Sequence, residues 1–421
     1  MQRARPTTDW QLIGIACVLS VFGLLMVYSA GQVERTQAFE HLWRKQLVWI
    51  VAGVTGAYLV SRASQRFLEW VAVPAYVLAL VLLTALLIKG VGTGGAGSAK
   101  STQSWLTVAG YRIGQPSEFA KVAVVMMLAK VVSTWREAAD SLRDLWKPIV
   151  VVGIPWALII LQHDLGTSMV LVGIFFAMLY WGGVSWTLLL LLASPAISLI
   201  LAFSTGIWGA WFLILLAIIV WAPKRPYVVE GVVIVFANVV MGVVAPVLWN
   251  KIQPYQRDRL LSFINPAFDP KNAGYHLLQS QVAIGSGGWA GKGFTLGTQK
   301  RLLFLPEQHT DFIFTVIGEE LGFIGITLAL AILCVLLLRT VRIAMRSLDP
   351  FSGLVAFGLA AAWCVHIAVN VGMTVGLMPI TGIPLPFFSY GGSFMLVCWI
   401  AVGILVRISA SGRGRADMLA I

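Results

Sequence analysis

Residues 283–325 read AIGSGGWAGKGFTLGTQKRLLFLPEQHTDFIFTVIGEELGFIG. The first half is glycine-rich and basic. The second half turns at Pro306 into a long apolar run, and the turn sets down Glu307, His309 and Asp311 where that run begins. A carboxylate at the threshold of an apolar segment long enough to cross a bilayer is costly to keep there, and it marks a candidate functional site.

That run is one of twelve. The others cover about 12–30, 46–61, 70–88, 117–134, 147–162, 166–183, 186–203, 207–222, 229–249, 351–375 and 390–408, with this one at 311–338. Hydrophobic residues make up 58% of the 421 residues and charged residues 11%, and the mean hydropathy is +0.85. Repeated apolar runs near bilayer length predict an all-α polytopic membrane protein of about twelve transmembrane helices, in a single integral membrane domain over 1–421. The first run is longer than the apolar core of a signal peptide, about 7–15 residues, and reads as a retained helix. Cys17, Cys334, Cys364 and Cys398 all lie inside apolar runs, which suits packing better than a disulfide or metal framework.

Charge sets the expected orientation. With a cytoplasmic N-terminus, fifteen Lys and Arg fall in inner loops and termini, from Arg3 to Arg415. Six fall in the short outer loops: Arg35, Arg44, Lys45, Lys89, Lys100 and Arg112. Positive residues concentrate on the cytoplasmic side of short loops, so both termini are expected there and the long loop 250–310 is expected outside. The net charge of +12 is then partly a topology signal. Its scatter over loops on two faces does not indicate a nucleic-acid partner, and none is expected.

In this orientation Glu118 and Lys121 open the fourth helix, Asp164 lies in the turn before the sixth, and Asp311 opens the tenth. All sit at outer helix ends, at one level. Each has an ordinary reading as well. Pro116 and Glu118 suit a first helical turn, Lys121 at i+3 can pair with Glu118, and Asp164 and Asp311 can serve as caps. Glu319 and Glu320 are offset from Asp311 by about 80° and about 180°, so they cannot both share its face. Lys130 reads as a snorkelling side chain. Gly318, Gly322 and Gly325 read as close helix contacts.

The loop 250–310 combines cations, including Lys251, Arg257, Arg259, Lys271, Lys292, Lys300 and Arg301, with six glycines between Gly285 and Gly297. Such backbone suits a phosphate or pyrophosphate, or is simply a solvated loop. It is not a Walker loop, because Gly293 follows Lys292 where Ser or Thr should stand. The stretch 90–104 reads as a flexible loop. The segment 377–393, LMPITGIPLPFFSYGGS, breaks the pattern between the last two helices; irregular backbone at membrane depth must be buried in protein or line a cavity.

These segments resemble the SEDS family (shape, elongation, division and sporulation). The resemblance rests on Gln115-Pro116-Ser117-Glu118, Asp164-Leu165-Gly166-Thr167, Gly274-Tyr275-His276, Ile284 to Gly288, Leu305-Pro306-Glu307, His309 to Phe314, Pro384-Leu385-Pro386 and Ser389 to Ser393. Residues 291–293 and 297–299 look more like the family's elongation branch than its division branch. The resemblance implies a peptidoglycan glycosyltransferase of the bacterial cytoplasmic membrane that polymerises lipid II at the outer face during cell elongation. Its implied partners are a class B penicillin-binding protein and other elongation-complex membrane proteins. It also implies that Asp311 is the essential aspartate and that Glu118, Lys121 and Asp164 share its site.

The sequence departs from the family at three places. His163 replaces a proline, and Phe394 stands where a second serine is common. Three helices occupy 186–249 where one is expected, which reads as a ten-helix core with an inserted hairpin.

The chemistry follows from the substrate. Lipid II carries its sugar on an α-linked pyrophosphate and the glycan is β-1,4, so direct displacement with inversion is expected, with Asp311 as the base. Lys121, Lys292 and Arg112 are candidates for phosphate contacts. Glu118, Asp164, His309 and Ser393 complete the candidate substrate-binding set. This chemistry allows a divalent cation, Mg²⁺ or Mn²⁺, though no cluster in the sequence fixes its ligands. The rival reading is a lipid II flippase, which should hold its polar site near the midplane.

Overall fold

The computed structural model describes residues 8–33, 39–88, 92–93, 104–108, 111–221, 227–251, 257, 259, 261–263, 273–301, 305 and 307–419. Twelve long helices fall on the twelve apolar runs. They are α1 (Trp10–Gly31), α2 (Leu42–Ser61), α3 (Gln65–Ala85), α4 (Pro116–Val132), α5 (Trp146–Leu161), α6 (Leu165–Trp181), α7 (Trp186–Leu201), α8 (Thr205–Trp221), α9 (Val228–Lys251), α12 (Ile313–Arg346), α13 (Pro350–Val375) and α14 (Gly392–Leu419). Helices α10 (Ala273–Gly287) and α11 (Thr298–Arg301) lie between α9 and α12, and the described residues at 257, 259 and 261–263 are helical too. Among the described residues, seven spans, including α1, α3, α12 and α13, are long and apolar enough to cross a membrane; α6, α7 and α8 are shorter apolar helices.

The main core joins α14 to α2, α13 to α4 and α6, and α12 to α1 and α13. Trp399, Phe387, Phe388 and Met395 are buried at its centre. At one end, Asp9 caps α1 by accepting from the Leu12 N–H. The same carboxylate pairs with Arg339 of α12 at 2.8 Å and accepts from Ser409 of α14. The N-termini of α4, α6, α12 and α14 gather at the opposite end.

Helices α7, α8 and α9 form a side bundle with its own small core of Leu191, Leu215 and Ile234. Asn238 ties it together, donating to Ser194 and accepting from Ser198. This is the region where three helices stand for an expected one.

The all-α expectation holds, with one small addition ahead of α4. A three-stranded antiparallel sheet precedes α4: β1 (Gly92–Thr93), β2 (Trp105–Val108) and β3 (Tyr111–Gly114), in the order β1-β2-β3. The aromatic and β-branched residues of WLTV and YRIG favour strands, so the flexible loop expected over 90–104 ends in ordered structure.

The glycine-rich stretch is not a solvated loop. Gly285 and Gly287 lie in α10, which packs on α12 and α13. Beyond α10 the chain plugs a break in α12 at Gly322, where φ is 63°. Lys292 and Gly293 donate their N–H groups to the Glu319 and Glu320 carbonyls, and Phe323 and Ile324 donate to Gly288 and Trp289. A side chain at Gly322 would run into the Gly291 amide and the Trp289 carbonyl. Much of the stretch 252–272, including Lys271, lies outside the described residues.

Candidate active site

Four helix N-termini build the site. Pro116 at the first turn of α4 places Glu118 and Lys121 on one face, where they pair at 2.7 Å with 4% and 5% side-chain exposure. The ordinary ion-pair reading of these two residues is realised, but in a buried setting. The Lys121 ammonium also reaches His366 Nε2 at 2.7 Å and lies over the Phe394 ring. A small cavity lined by Glu118, Lys121, His366, Phe394 and Cys398 opens beneath the pair.

Asp164 caps α6. One carboxylate oxygen accepts from the Thr167 N–H at 3.0 Å, and the other from Thr167 Oγ1 and Gln115 Nε2, both at 2.9 Å. The cap reading therefore holds, and the same side chain reaches across to α4. His163, just before it, has φ of 61°. Proline, fixed near −65°, could not stand there, so this turn is built differently from the proline-bearing family pattern. Ser393, at the start of α14, accepts from the Gln115 N–H at 3.3 Å.

Asp311 sits in the turn before α12. The cap position is Phe312, with no side-chain capping bond, so the capping alternative for Asp311 is not realised. Its carboxylate lies against Gly382, where an added Cβ would be 3.3 Å from Oδ2. Burial pushes the Asp311 carboxyl up to about 6; Arg259 and the Thr310 hydroxyl act against this, and the nearby charge of Asp164 adds to it. Asp164 also acts on Glu118. The three carboxylates thus form one electrostatic cluster.

His309 is buried between Phe39 and Tyr390. Burial depresses its imidazole to about 4, so it is neutral at pH 7 and supplies no cation. Its backbone carbonyl accepts from the Tyr390 N–H at 2.8 Å.

Lys292 is engaged elsewhere, bridged to Glu319 at 2.8 Å and donating to Thr298. Arg112 lies in β3 just ahead of α4, but its side chain is outside the described residues. The structure therefore brings together Glu118, Lys121, Asp164, Asp311 and Ser393.

Sequence reading missed four contributors. Gln115 links Asp164 to α4. Arg259 was visible only as one of seven loop cations. His366 and Asn370, four residues apart on α13, were not singled out. Their i, i+4 spacing was the available signal. Among the described residues, no group of three or more His, Cys, Asp or Glu side chains is placed to hold a metal ion.

The sequence profile of the cell cycle protein family that includes FtsW, RodA and SpoVE matches residues 9–216 and 208–414. The chain belongs to this family. It is 33% identical over 410 residues to the probable peptidoglycan glycosyltransferase FtsW of Geobacter metallireducens, covering 96% of each chain. It is 34% identical over 409 residues to the peptidoglycan glycosyltransferase MrdB of Escherichia coli K12, covering 95% of this chain and 93% of that one.

Two solved structures share the fold. One is a chain of a peptidoglycan synthase complex, with TM-score 0.69, 24% identity, and 96% and 98% of the two chains covered. The other is the rod shape determining protein RodA of Thermus thermophilus, with TM-score 0.61, 23% identity, and 96% and 97% covered. The chain is, like its family, a multi-pass protein of the bacterial cytoplasmic membrane. The two matched segments of this SEDS chain overlap at 208–216, within α8 of the side bundle.

Proposed function

We propose that this SEDS protein is a peptidoglycan glycosyltransferase that polymerises lipid II into β-1,4 glycan at the outer face of the membrane. The observation that carries this reading is the state of Asp311. It is a partly buried carboxylate raised to about 6, beside Asp164 and Gly382, at a helix mouth. Such a group is ionised at neutral pH and more basic than a solvated aspartate, as a general base requires. Asp311 takes the proton of the acceptor 4-hydroxyl as that oxygen attacks the donor's anomeric carbon. The carbon–pyrophosphate bond breaks with inversion.

The departing pyrophosphate needs cations. Lys121 is buried at the site, and Arg259 is close enough to influence Asp311. Lys292 and Arg112 remain candidates only if substrate draws them in. A Mg²⁺ or Mn²⁺ ion has no cluster of protein ligands among the described residues, so no step is routed through one.

The partner proposed is a class B penicillin-binding protein, in the company of other elongation-complex membrane proteins. The residues at 291–293 and 297–299 favour a role in elongation, while the relatives carry both FtsW and MrdB names. The charge bias favours both termini in the cytoplasm. The flippase reading is weaker, because the cluster around Asp311 lies at helix ends, while the charges at the break in α12 are closed into Lys292–Glu319 and Lys300–Glu320 pairs. Purified protein with its penicillin-binding partner, given lipid II in detergent, should make glycan; absence of polymer would overturn the proposal, since detergent leaves no bilayer to flip across.

A further inference from the structure

The segment Thr381-Gly382-Ile383-Pro384 links the start of α6, Asp311 and, through one side chain, Lys121. The start of α6 is packed so tightly on it that a Cβ at Gly166 would come within 2.9 Å of the Thr381 carbonyl. Gly382, with φ of 75°, faces the Asp311 carboxylate. Pro384 is joined to Lys121 through a histidine.

Two side chains of α13 hold this segment. Asn370 uses both amide hydrogens, donating to the Asp311 carbonyl at 2.9 Å and the Ile383 carbonyl at 2.7 Å. One turn earlier, His366 lies between the Pro384 carbonyl, 3.0 Å from Nδ1, and the Lys121 ammonium, 2.7 Å from Nε2. A carbonyl can only accept, so Nδ1 carries the proton. Nε2 then accepts from Lys121. The ring is neutral and both its nitrogens are occupied. Phe394 stacks on its face with centroids 5.0 Å apart. Both residues are buried, at 3% and 0% exposure.

We propose that His366 and Asn370 are positioning residues for the glycosyl transfer. They act together as a brace: His366 through the ammonium of Lys121, Asn370 through the backbone of Asp311. The brace fixes how far the cation stands from the base, because each group is bonded to a side chain of one helix, one turn apart, and the same two side chains hold the 381–384 segment between them. A catalytic group displaced by about 1 Å can lose about 100-fold in rate. This inference rests on the glycosyltransferase reading above.

The test uses the purified protein with its penicillin-binding partner and fluorescent lipid II, measuring kcat, KM and melting temperature. His366→Ala should lower kcat about 10- to 100-fold, with a smaller change in KM. His366→Gln should recover most of it, since a glutamine amide can donate to Pro384 and accept from Lys121. Asn370→Ala should also lower kcat. Near-parental kcat in His366→Ala would overturn the inference. So would equal losses of activity and melting temperature in the Ala and Gln variants, which would mark His366 as part of the fold only. A parent complex that makes no glycan would instead overturn the function proposed above, and this inference with it.

Discussion

Lys300 and Glu320 form an ion pair shut away from water, with side-chain exposures of 1% and 0%. Ser29 of α1 donates to both Glu320 oxygens, at 2.7 and 2.6 Å, and its carbonyl accepts from Lys300 at 2.8 Å. The pair therefore joins α11, the upper half of α12 and α1. Removing one partner leaves the other charge buried alone, at a cost of about 3–5 kcal/mol. Glu320→Gln and Lys300→Met should each lower the melting temperature markedly in detergent. The double substitution should be less damaging than the sum of the two, and a double-mutant cycle on melting measures the coupling.

Asp311→Asn should abolish glycan synthesis while the protein still binds its partner. Asparagine keeps the shape and one acceptor oxygen but cannot take the proton. A lost base costs about 10²–10⁴ in rate. Near-parental synthesis by the variant would remove Asp311 from the role of base.

The same residue sets a pH dependence. The folded carboxyl is raised from 3.8 to about 6. Below about 6 it protonates and loses its basicity, so the parent's rate should fall on acidification through that value. Stability runs the other way, because the native state holds this proton more tightly than the unfolded chain does. Ionisation as pH rises through about 6 therefore costs native stability. Asp311→Asn should match the parent's melting temperature below pH 4 and exceed it at pH 8. A rate independent of pH between 5 and 8 would contradict the first half of this.

His163→Pro should destabilise the protein, although proline is what the family pattern carries here. The His163 backbone sits at φ of 61° and its N–H donates to the Ile160 carbonyl at 2.9 Å. Proline supplies neither that angle nor that donor. The melting temperature should drop by several degrees, and activity should fall with it through Asp164. Unchanged melting would mean that the turn readily adopts the other geometry.

Orientation can be read with an impermeant thiol reagent on intact cells. Cysteine introduced at His41, between α1 and α2, should label from outside; cysteine at Arg136, between α4 and α5, should label only after lysis. The native cysteines lie within helices α1, α12, α13 and α14, so background should be low. The reverse pattern would invert the topology.

The helices were legible because apolar run length in a bilayer is a one-dimensional signal. So were Glu118, Asp164 and Asp311, since charges at the ends of apolar runs stand out. Their lateral proximity was not legible, because it depends on which helices neighbour one another. The cationic loop misled for a related reason. Lys292 and Lys300 looked free for a phosphate, and the sequence did list Glu319 and Glu320 with different facings. It did not reveal that a break at Gly322 would let the loop fold in and give each lysine its own glutamate. His366 and Asn370 were hidden because a lone polar residue in a packed helix has no fixed meaning until its partner carbonyls are known.

The break in α12 also bears on how the chain is made. Its amides and carbonyls at Glu319, Glu320, Phe323 and Ile324 find partners in residues 288–293. Lipid offers no substitute partners for them. Those residues precede α12 and leave the ribosome first. Once the broken helix emerges, its splint is already synthesised and can close the break as α12 enters the membrane.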